Sequence, residues 1–144
     1  MSRDAPPSRQ NFRHFVAIST RWIDNDVYGH VNNVIYYSWI DTAVNSTLIE
    51  RGLLDIASSP VVAVAAESGC RYFAAVSYPD AVAVGLRVAS LGRSSVRYHA
   101  GIFRNAEEKA SAEGHFVHVY VDRASMRPVP MPVEVRAALE ELQN

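Results

Sequence analysis

The strongest constraint on the fold is one apolar helical pattern that is followed almost entirely by β-structure. From Asn33 onward, Val34, Ile35, Tyr36, Trp39, Ile40, Ala43, Val44, Thr47 and Leu48 recur at helical spacing and fill more than one face, and Gly52 stands where a helix C′ residue belongs. A helix this apolar needs cover. After Pro60 the texture turns to β and stays there: Val61 to Val76, Ala81 to Leu91, Ser94 to Arg104 and Ala110 to Arg123. These runs are broken by hairpin-like connections at Tyr78-Pro79-Asp80, Leu91-Gly92-Arg93 and Asn105-Ala106-Glu107-Glu108-Lys109. Phe12 to Trp22, aromatic and β-branched, adds a first strand. Pro128, Pro130 and Pro132 end the last one, and Val133 to Leu142 predicts a short terminal helix with Pro132 at its first position. The order is strand, long helix, four strands, short helix. It predicts an α+β architecture in which a five-stranded antiparallel sheet wraps the long helix.

A chain of 144 residues that is 49% hydrophobic has enough apolar matter for one core and little for a second. Residues 11–144 are expected to form that single domain, and residues 1–10, with Pro6, Pro7 and two serines, a flexible tail. With 14 Lys and Arg against 15 Asp and Glu, the chain lacks the concentrated basic surface that nucleic-acid binding requires. The lone Cys70 has no intrachain disulfide partner, and no apolar run approaches the length of a membrane span or a signal segment. A cytoplasmic location is the expectation. An open sheet leaves an edge strand exposed, and pairing edges across a two-fold axis hides it, so a homodimer or a dimer of dimers is expected.

Chemistry concentrates just before the helix, in Asp24-Asn25-Asp26-Val27-Tyr28-Gly29-His30-Val31-Asn32-Asn33-Val34-Ile35-Tyr36. The spacing Asp24-x-Asp26 resembles the start of a calcium loop, but Tyr28 stands at the fifth position, and Ile35 stands at the twelfth where a bidentate glutamate is required. Asp24, Asp26 and His30 have no fourth ligand nearby, and the chain has neither a His-x-x-x-His pair nor a cysteine cluster. No metal is expected. There is no Gly-x-Ser-x-Gly elbow, and Cys70 in mid-strand reads as a small buried hydrophobe. The carboxylates remain, as nucleophile on an acyl carbonyl or as general base on water. Backbone N–H groups at the helix start, around Asn32 to Val34, offer the oxyanion donor that either route needs. Each Asp and Asn taken alone is also an ordinary turn or cap residue. Two aspartates, a histidine and a glycine turn together exceed what one cap uses, which points to an acid/base or acyl-transfer site.

The stretch Thr20-Arg21-Trp22-x-Asp24-x-Asp26-x-x-Gly29-His30-Val31-Asn32-Asn33-x-x-Tyr36, with Trp39 and Asp41 following, resembles the signature of hotdog-fold acyl-CoA thioesterases of the 4-hydroxybenzoyl-CoA thioesterase type. Ser90-Leu91-Gly92-Arg93-Ser94-Ser95 resembles that family's Leu-Gly-x-Ser-Ser turn, Tyr78-Pro79-Asp80 its preceding hairpin, and the resemblance runs over roughly residues 14–123. It implies the hotdog fold and hydrolysis of an acyl-CoA, with no cofactor beyond the CoA of the substrate. Asp26 would be the catalytic carboxylate, Gly29 would permit tight approach to the helix, and the N–H near Asn33 would polarise the thioester carbonyl. His30 would orient Asp26, water or substrate, or hold the loop. The His-Val-Asn-Asn form is more similar to the fatty-acyl branch than to the aryl-CoA branch, which implies an aliphatic chain.

Other residues take lesser parts. Asp24 is expected to tie the loop to a backbone N–H, Asn25 to be unremarkable, and Asp41 to be a buried, satisfied carboxylate or a support for the site. Tyr36 and Trp39 read as core, Tyr36 with a share in lining an acyl tunnel. Arg71, Arg93, Arg97 and Arg104 are candidates for the CoA phosphates, Arg93 beside the turn being preferred, and Ser94 and Ser95 for the pantetheine arm. Two rivals fit the same fold: an enoyl-CoA hydratase, and a non-catalytic acyl-CoA-binding module. A carboxylate facing a thioester carbonyl benefits a pure binder little.

Overall fold

The structure is a computed structural model that describes residues 5–143. Its strands are β1 (His14–Ser19), β2 (Val61–Tyr72), β3 (Ala81–Leu91), β4 (Ser95–Arg104) and β5 (Ala112–Asp122); its helices are α1 (Asn33–Glu50) and α2 (Val133–Glu140). The strands form one antiparallel sheet in the order β1-β3-β4-β5-β2. The sheet curls around α1 in the hotdog arrangement. Among the described residues no helix is long and apolar enough to cross a membrane.

Local chemistry sets the ends of α1. Asn32 caps it by accepting the Val34 N–H at 3.2 Å. At the other end Gly52, at φ +71°, turns the chain, and the N–H groups of Gly52 and Leu53 donate back to Ile49 and Leu48, which satisfies the last carbonyls in a Schellman pattern. Burial on the helix is narrower than its composition suggests. Tyr36, Trp39, Ile40, Ala43, Val44, Thr47 and Leu48 form one buried stripe, while Val34 and Ile49 are exposed. Asp41 lies on the outward side, exposed, and accepts the Asn45 side-chain N–H at 2.9 Å; it is not a buried carboxylate, and this side-chain partner is on the helix itself. A sheet can cover only the face turned toward it, so the apolar residues beyond that stripe stay in solvent in the single chain.

Strand alternation supplies the cover. Val82, Val84, Leu86 and Val88 of β3, Val96, Tyr98, Ala100 and Ile102 of β4, and Ala112, Phe116 and Tyr120 of β5 are buried at every second position against the helix stripe. Register shifts between Ala65 and Glu67 in β2 and between Val88 and Ser90 in β3 mark bulges, which bend and twist the sheet around the helix.

The segment expected as a tail is hydrogen-bonded to the fold over part of its described length. Pro7 O accepts the Ala110 N–H at 2.9 Å, Ser8 bridges Lys109, and Arg9 donates from its guanidinium to Glu107 O and Asn105 O. From Pro7 onward the chain is fastened to the β4–β5 turn, and Phe12 follows into a small second cluster with Phe103 and Ala110. Residues 1–4 of that expectation lie outside the described residues. Pro132 caps α2 rather than opening it, a difference of one residue.

Candidate active site

The motif forms a tied loop between a short 3₁₀ turn at Trp22–Asp24 and the first turn of α1. Asp24 is its anchor. Fully buried, it accepts the Arg21 backbone N–H at 2.8 Å through Oδ2 and the Arg21 Nε and Nη2 at 3.0 and 2.8 Å through Oδ1. Its carbonyl takes the Asn32 N–H at 2.9 Å, which locks the loop entrance to the helix cap. That is the tethering role expected of Asp24. Asn25, taken as unremarkable from sequence, is a second tether: Oδ1 accepts the Tyr78 N–H at 3.0 Å and joins the loop to the bend before β3.

Asp26 is half-buried. Its Oδ1 accepts the Tyr28 N–H at 2.8 Å, its N–H donates to His30 O at 2.8 Å, and its carbonyl accepts the Gly29 N–H at 3.0 Å. These bonds make a tight Asx turn that fixes the carboxyl group while Oδ2 takes no hydrogen bond from the described residues. Gly29 has a backbone conformation that favours glycine. It sits at φ +83°, where a side chain is strained, while a Cβ built there meets nothing of the single chain within 4 Å. Its carbonyl accepts the Ser77 hydroxyl at 2.9 Å.

His30 is exposed, and its ring makes no hydrogen bond among the described residues; its backbone carbonyl, not its imidazole, holds the loop. Asn33 is the first residue of α1, where an N–H cannot be satisfied inside the helix. Its carbonyl accepts the Tyr72 hydroxyl at 3.0 Å. Tyr36 is buried against Trp39 and Tyr72, ring centroids 5.0 Å away in each case, and burial pushes its phenol up to about 12. Among these, His30, Asn33 and Tyr36 line a cleft of about 330 Å³ with Val31 and Tyr72 to Ala75. Asp26 stands on the loop beside that cleft and does not line it in the single chain.

Not every expected site residue gathers here. Arg93, Ser94 and Ser95 turn the chain from β3 into β4, at the end of β3 opposite the bend that holds Asn25, about 33 Å away at the usual strand rise. There Arg93 O accepts the Met131 N–H, Ser94 O the Tyr120 N–H and Ser95 O the Gly92 N–H, so the turn fastens the segment leading into α2. Of the other arginine candidates, Arg71 faces Glu113 at 3.8 Å, Arg97 pairs with Glu67 at 3.2 Å and Arg104 with Glu107. Among the described residues no group of three or more His, Cys, Asp or Glu could hold a metal ion. Cys70 is half-buried against the core, and burial raises its thiol, the reverse of an activated nucleophile.

Sequence reading missed Tyr72 and Ser77, which brace the helix start and the glycine turn from β2 and the loop after it. The only signal for Tyr72 is alternation, which places it on the same face of β2 as Cys70 but cannot say what it meets. The loop is also ringed by exposed apolar side chains: Trp22, Ile23, Val27, Tyr28 and Val34 are between 60% and 95% exposed. So much apolar surface around one loop is uncommon on a finished surface.

No curated protein matches the sequence. Among solved structures, the PA5185 protein from Pseudomonas aeruginosa is 53% identical, with 96% of this chain and 97% of that one covered at a TM-score of 0.94. The PA2801 protein of the same organism is 32% identical over 88% of this chain and 97% of its own, at 0.81. A 1,4-dihydroxy-2-naphthoyl-CoA thioesterase from Synechocystis shares the fold at 17% identity and a TM-score of 0.80, with 89% and 96% covered. The sequence profile of the thioesterase-like superfamily matches residues 20–139, most of the chain and all of the tied loop, and the chain belongs to that superfamily.

Proposed function

We propose that the chain hydrolyses acyl-CoA thioesters to the free acid and CoA, with Asp26 as the catalytic carboxylate. The observation that carries this is the Asx turn: Asp26 is held through one carboxylate oxygen by the Tyr28 N–H, which leaves Oδ2 for chemistry a few residues before the N-terminus of α1. Family membership makes thioester hydrolysis the reaction to be derived.

In the proposed reaction the thioester carbonyl oxygen lies against the Asn33 N–H, where the unsatisfied donor and the positive end of the helix dipole stabilise the oxyanion. Asp26 then either attacks the carbonyl carbon, expelling the CoA thiolate and leaving a mixed anhydride that water cleaves, or removes a proton from the water that attacks. No cofactor takes part. Val31, Tyr36, Tyr72 and Phe73 give the cleft an apolar wall, which suits the acyl group, and the His-Val-Asn-Asn form favours an aliphatic one.

The reading includes a homo-oligomer. Trp22, Ile23, Val27, Tyr28 and Val34 crowd the loop in solvent, and a second copy seated there would cover them and close the site over Asp26. The Arg93 turn, remote from Asp26 within one chain, would reach a thioester only from such a copy.

The test is thiol release from a panel of acyl-CoAs, from acetyl to long-chain and aryl. Asp26→Asn keeps the oxygen that accepts the Tyr28 N–H, so it should fold and assemble as before and lose about 100-fold to 10,000-fold in rate. An undiminished rate in that variant would sink the assignment. Loss of absorbance from an enoyl-CoA without thiol release would make the chain a hydratase, and binding without turnover of any thioester would make it a binding module.

A further inference from the structure

The face of the sheet turned away from α1 carries charged groups that thioester hydrolysis does not use. Pairing register arranges them in three rows. Arg87, His99, His115 and Gly69 stand opposite one another across β3, β4, β5 and β2; Glu113 and Arg71 are paired in the row on one side, and Arg97 and Glu67 flank Val117 in the row on the other. The carboxylates are all engaged. Glu113 meets His99 Nε2 at 2.9 Å and Arg71 at 3.8 Å, while Glu67 meets His115 Nε2 at 2.8 Å and Arg97 at 3.2 Å.

Arg87 is the exception. Half-buried on β3 and directly across from His99, it has no carboxylate partner among the described residues. From the β1 side the register continues to Arg13, whose N–H donates to Leu86 O, so that edge adds positive charge rather than a counter-ion. The side chains surround a cleft of about 530 Å³, larger than the one beside Asp26, and the His115 ring lies over Gly69, where a Cβ would collide with Cε1. Arg87 adds to this floor a positive charge that neither Glu67 nor Glu113 takes up. A half-buried guanidinium without a counter-ion is costly unless something supplies one.

We propose that this outer-face cleft is a binding site for the phosphate of a nucleotide-sized ligand, seated between Arg87 and the His99–His115 pair and flanked by Arg97. The guanidinium fork of Arg87 matches two phosphate oxygens, and the cleft has room for a base and sugar besides the phosphate. Burial, with Arg87 as a further cause, holds the His99 imidazole below its ordinary value while Glu113 pulls the other way. A bound dianion would offset Arg87 and favour the protonated ring, so binding of the dianionic form is coupled to proton uptake by His99, while the ligand's own phosphate protonation runs the other way. The site lies on the opposite side of the sheet from the buried α1 stripe and is independent of the thioester reaction.

Isothermal titration of the full chain with ADP and with inorganic phosphate tests the proposal. Counted per dianionic phosphate, with the ligand's own protonation divided out, ADP is expected to bind about tenfold more tightly near pH 6 than near pH 8, with inorganic phosphate weaker but following the same trend. Arg87→Gln should weaken ADP at least about tenfold at both pH values. His99→Gln, which still donates toward Glu113, should keep the binding near pH 8 and lose the gain at low pH. Asp26→Asn should bind ADP as the wild type does. A readout that needs no variant is the His99 ring proton shift by NMR, whose titration midpoint should rise when ADP is added. Absence of binding up to about 10 mM, Arg87→Gln binding like wild type, an unmoved His99 midpoint, or loss of binding in Asp26→Asn would each overturn the proposal. So would a protein that binds no ADP but whose mass by light scattering falls in Arg87→Gln, since the face would then be a contact between copies.

Discussion

The Tyr72 hydroxyl donates to the main-chain carbonyl of Asn33 at 3.0 Å, which joins the end of β2 to the first turn of α1. The bond orients the peptide at the helix start, and the same tyrosine walls the cleft beside His30. Tyr72→Phe removes the bond and keeps the ring contact with Tyr36. The expected cost is about 1 kcal/mol, read as a lower urea midpoint at constant slope, with a loss in thiol release smaller than that of Asp26→Asn.

Arg21 and Asp24 form the loop's buried tether, and the partners are unequally exposed, with 64% of the Arg21 side chain in solvent and none of Asp24. Removing the exposed partner leaves a buried carboxylate with only a backbone donor. Arg21→Ala is therefore expected to destabilise by about 1–3 kcal/mol, more than a surface ion pair would, and Arg21→Lys by less. Denaturant unfolding near neutral pH measures both. A cost below about 0.5 kcal/mol for Arg21→Ala would show that the Arg21 N–H alone satisfies Asp24.

Gly29→Ala isolates backbone conformation from packing, because the space around a Cβ is empty and only φ +83° opposes it. The expected destabilisation is about 1–2 kcal/mol. Thiol release should fall as well, since the Gly29 N–H closes the turn that holds Asp26. A variant with unchanged stability and rate would mean that the turn relaxes without strain.

His118 is buried between the sheet and α1 beside Tyr98 and Phe116, and burial pushes its imidazole down to about 4 from 6.5. Between these two values the unfolded chain binds a proton that the folded chain refuses, so stability falls as pH drops through that window. The slope from this group approaches about 1.4 kcal/mol per pH unit. Burial also lowers His14 and His99, so they slope the same way. His118→Phe should flatten the stability profile by up to one proton's worth between pH 6.5 and 4, measured by urea unfolding across that range. An unchanged slope would place the acid sensitivity elsewhere.

Strand positions were well legible in the chain: β3 runs over the residues that alternation assigns to it, and β4, β5 and α1 begin and end within two residues of expectation. Alternation and capping are local properties, so Asn32, Gly52 and the apolar strand positions carry them without reference to the rest of the molecule. The end of β2 was harder. Val76 reads as strand, but the strand stops at Tyr72 and Val76 O instead accepts the Val31 N–H, a partner far away in sequence.

The tied loop divides in the same way. Asp24, Asp26, Gly29 and Asn32 could be singled out because their short polar side chains and the glycine serve bonds within a few residues. Tyr72, Ser77 and the partner of Asn25 could not, since each bond spans about 40 residues or more and depends on how the sheet lies over the helix.

Sequence by itself determined that one apolar helix must be wrapped by antiparallel strands and that a carboxylate stands just before its start, because periodicity, caps and turns act over a few residues. Tertiary structure alone decided which apolar helix residues are covered, that Asp41 faces solvent, that the Arg93 turn lies at the far end of the sheet from Asp26, and that Arg87, His99 and His115 share one outer row. Those outcomes depend on strand order, register and bulges, where a shift of one residue moves a side chain to the opposite face.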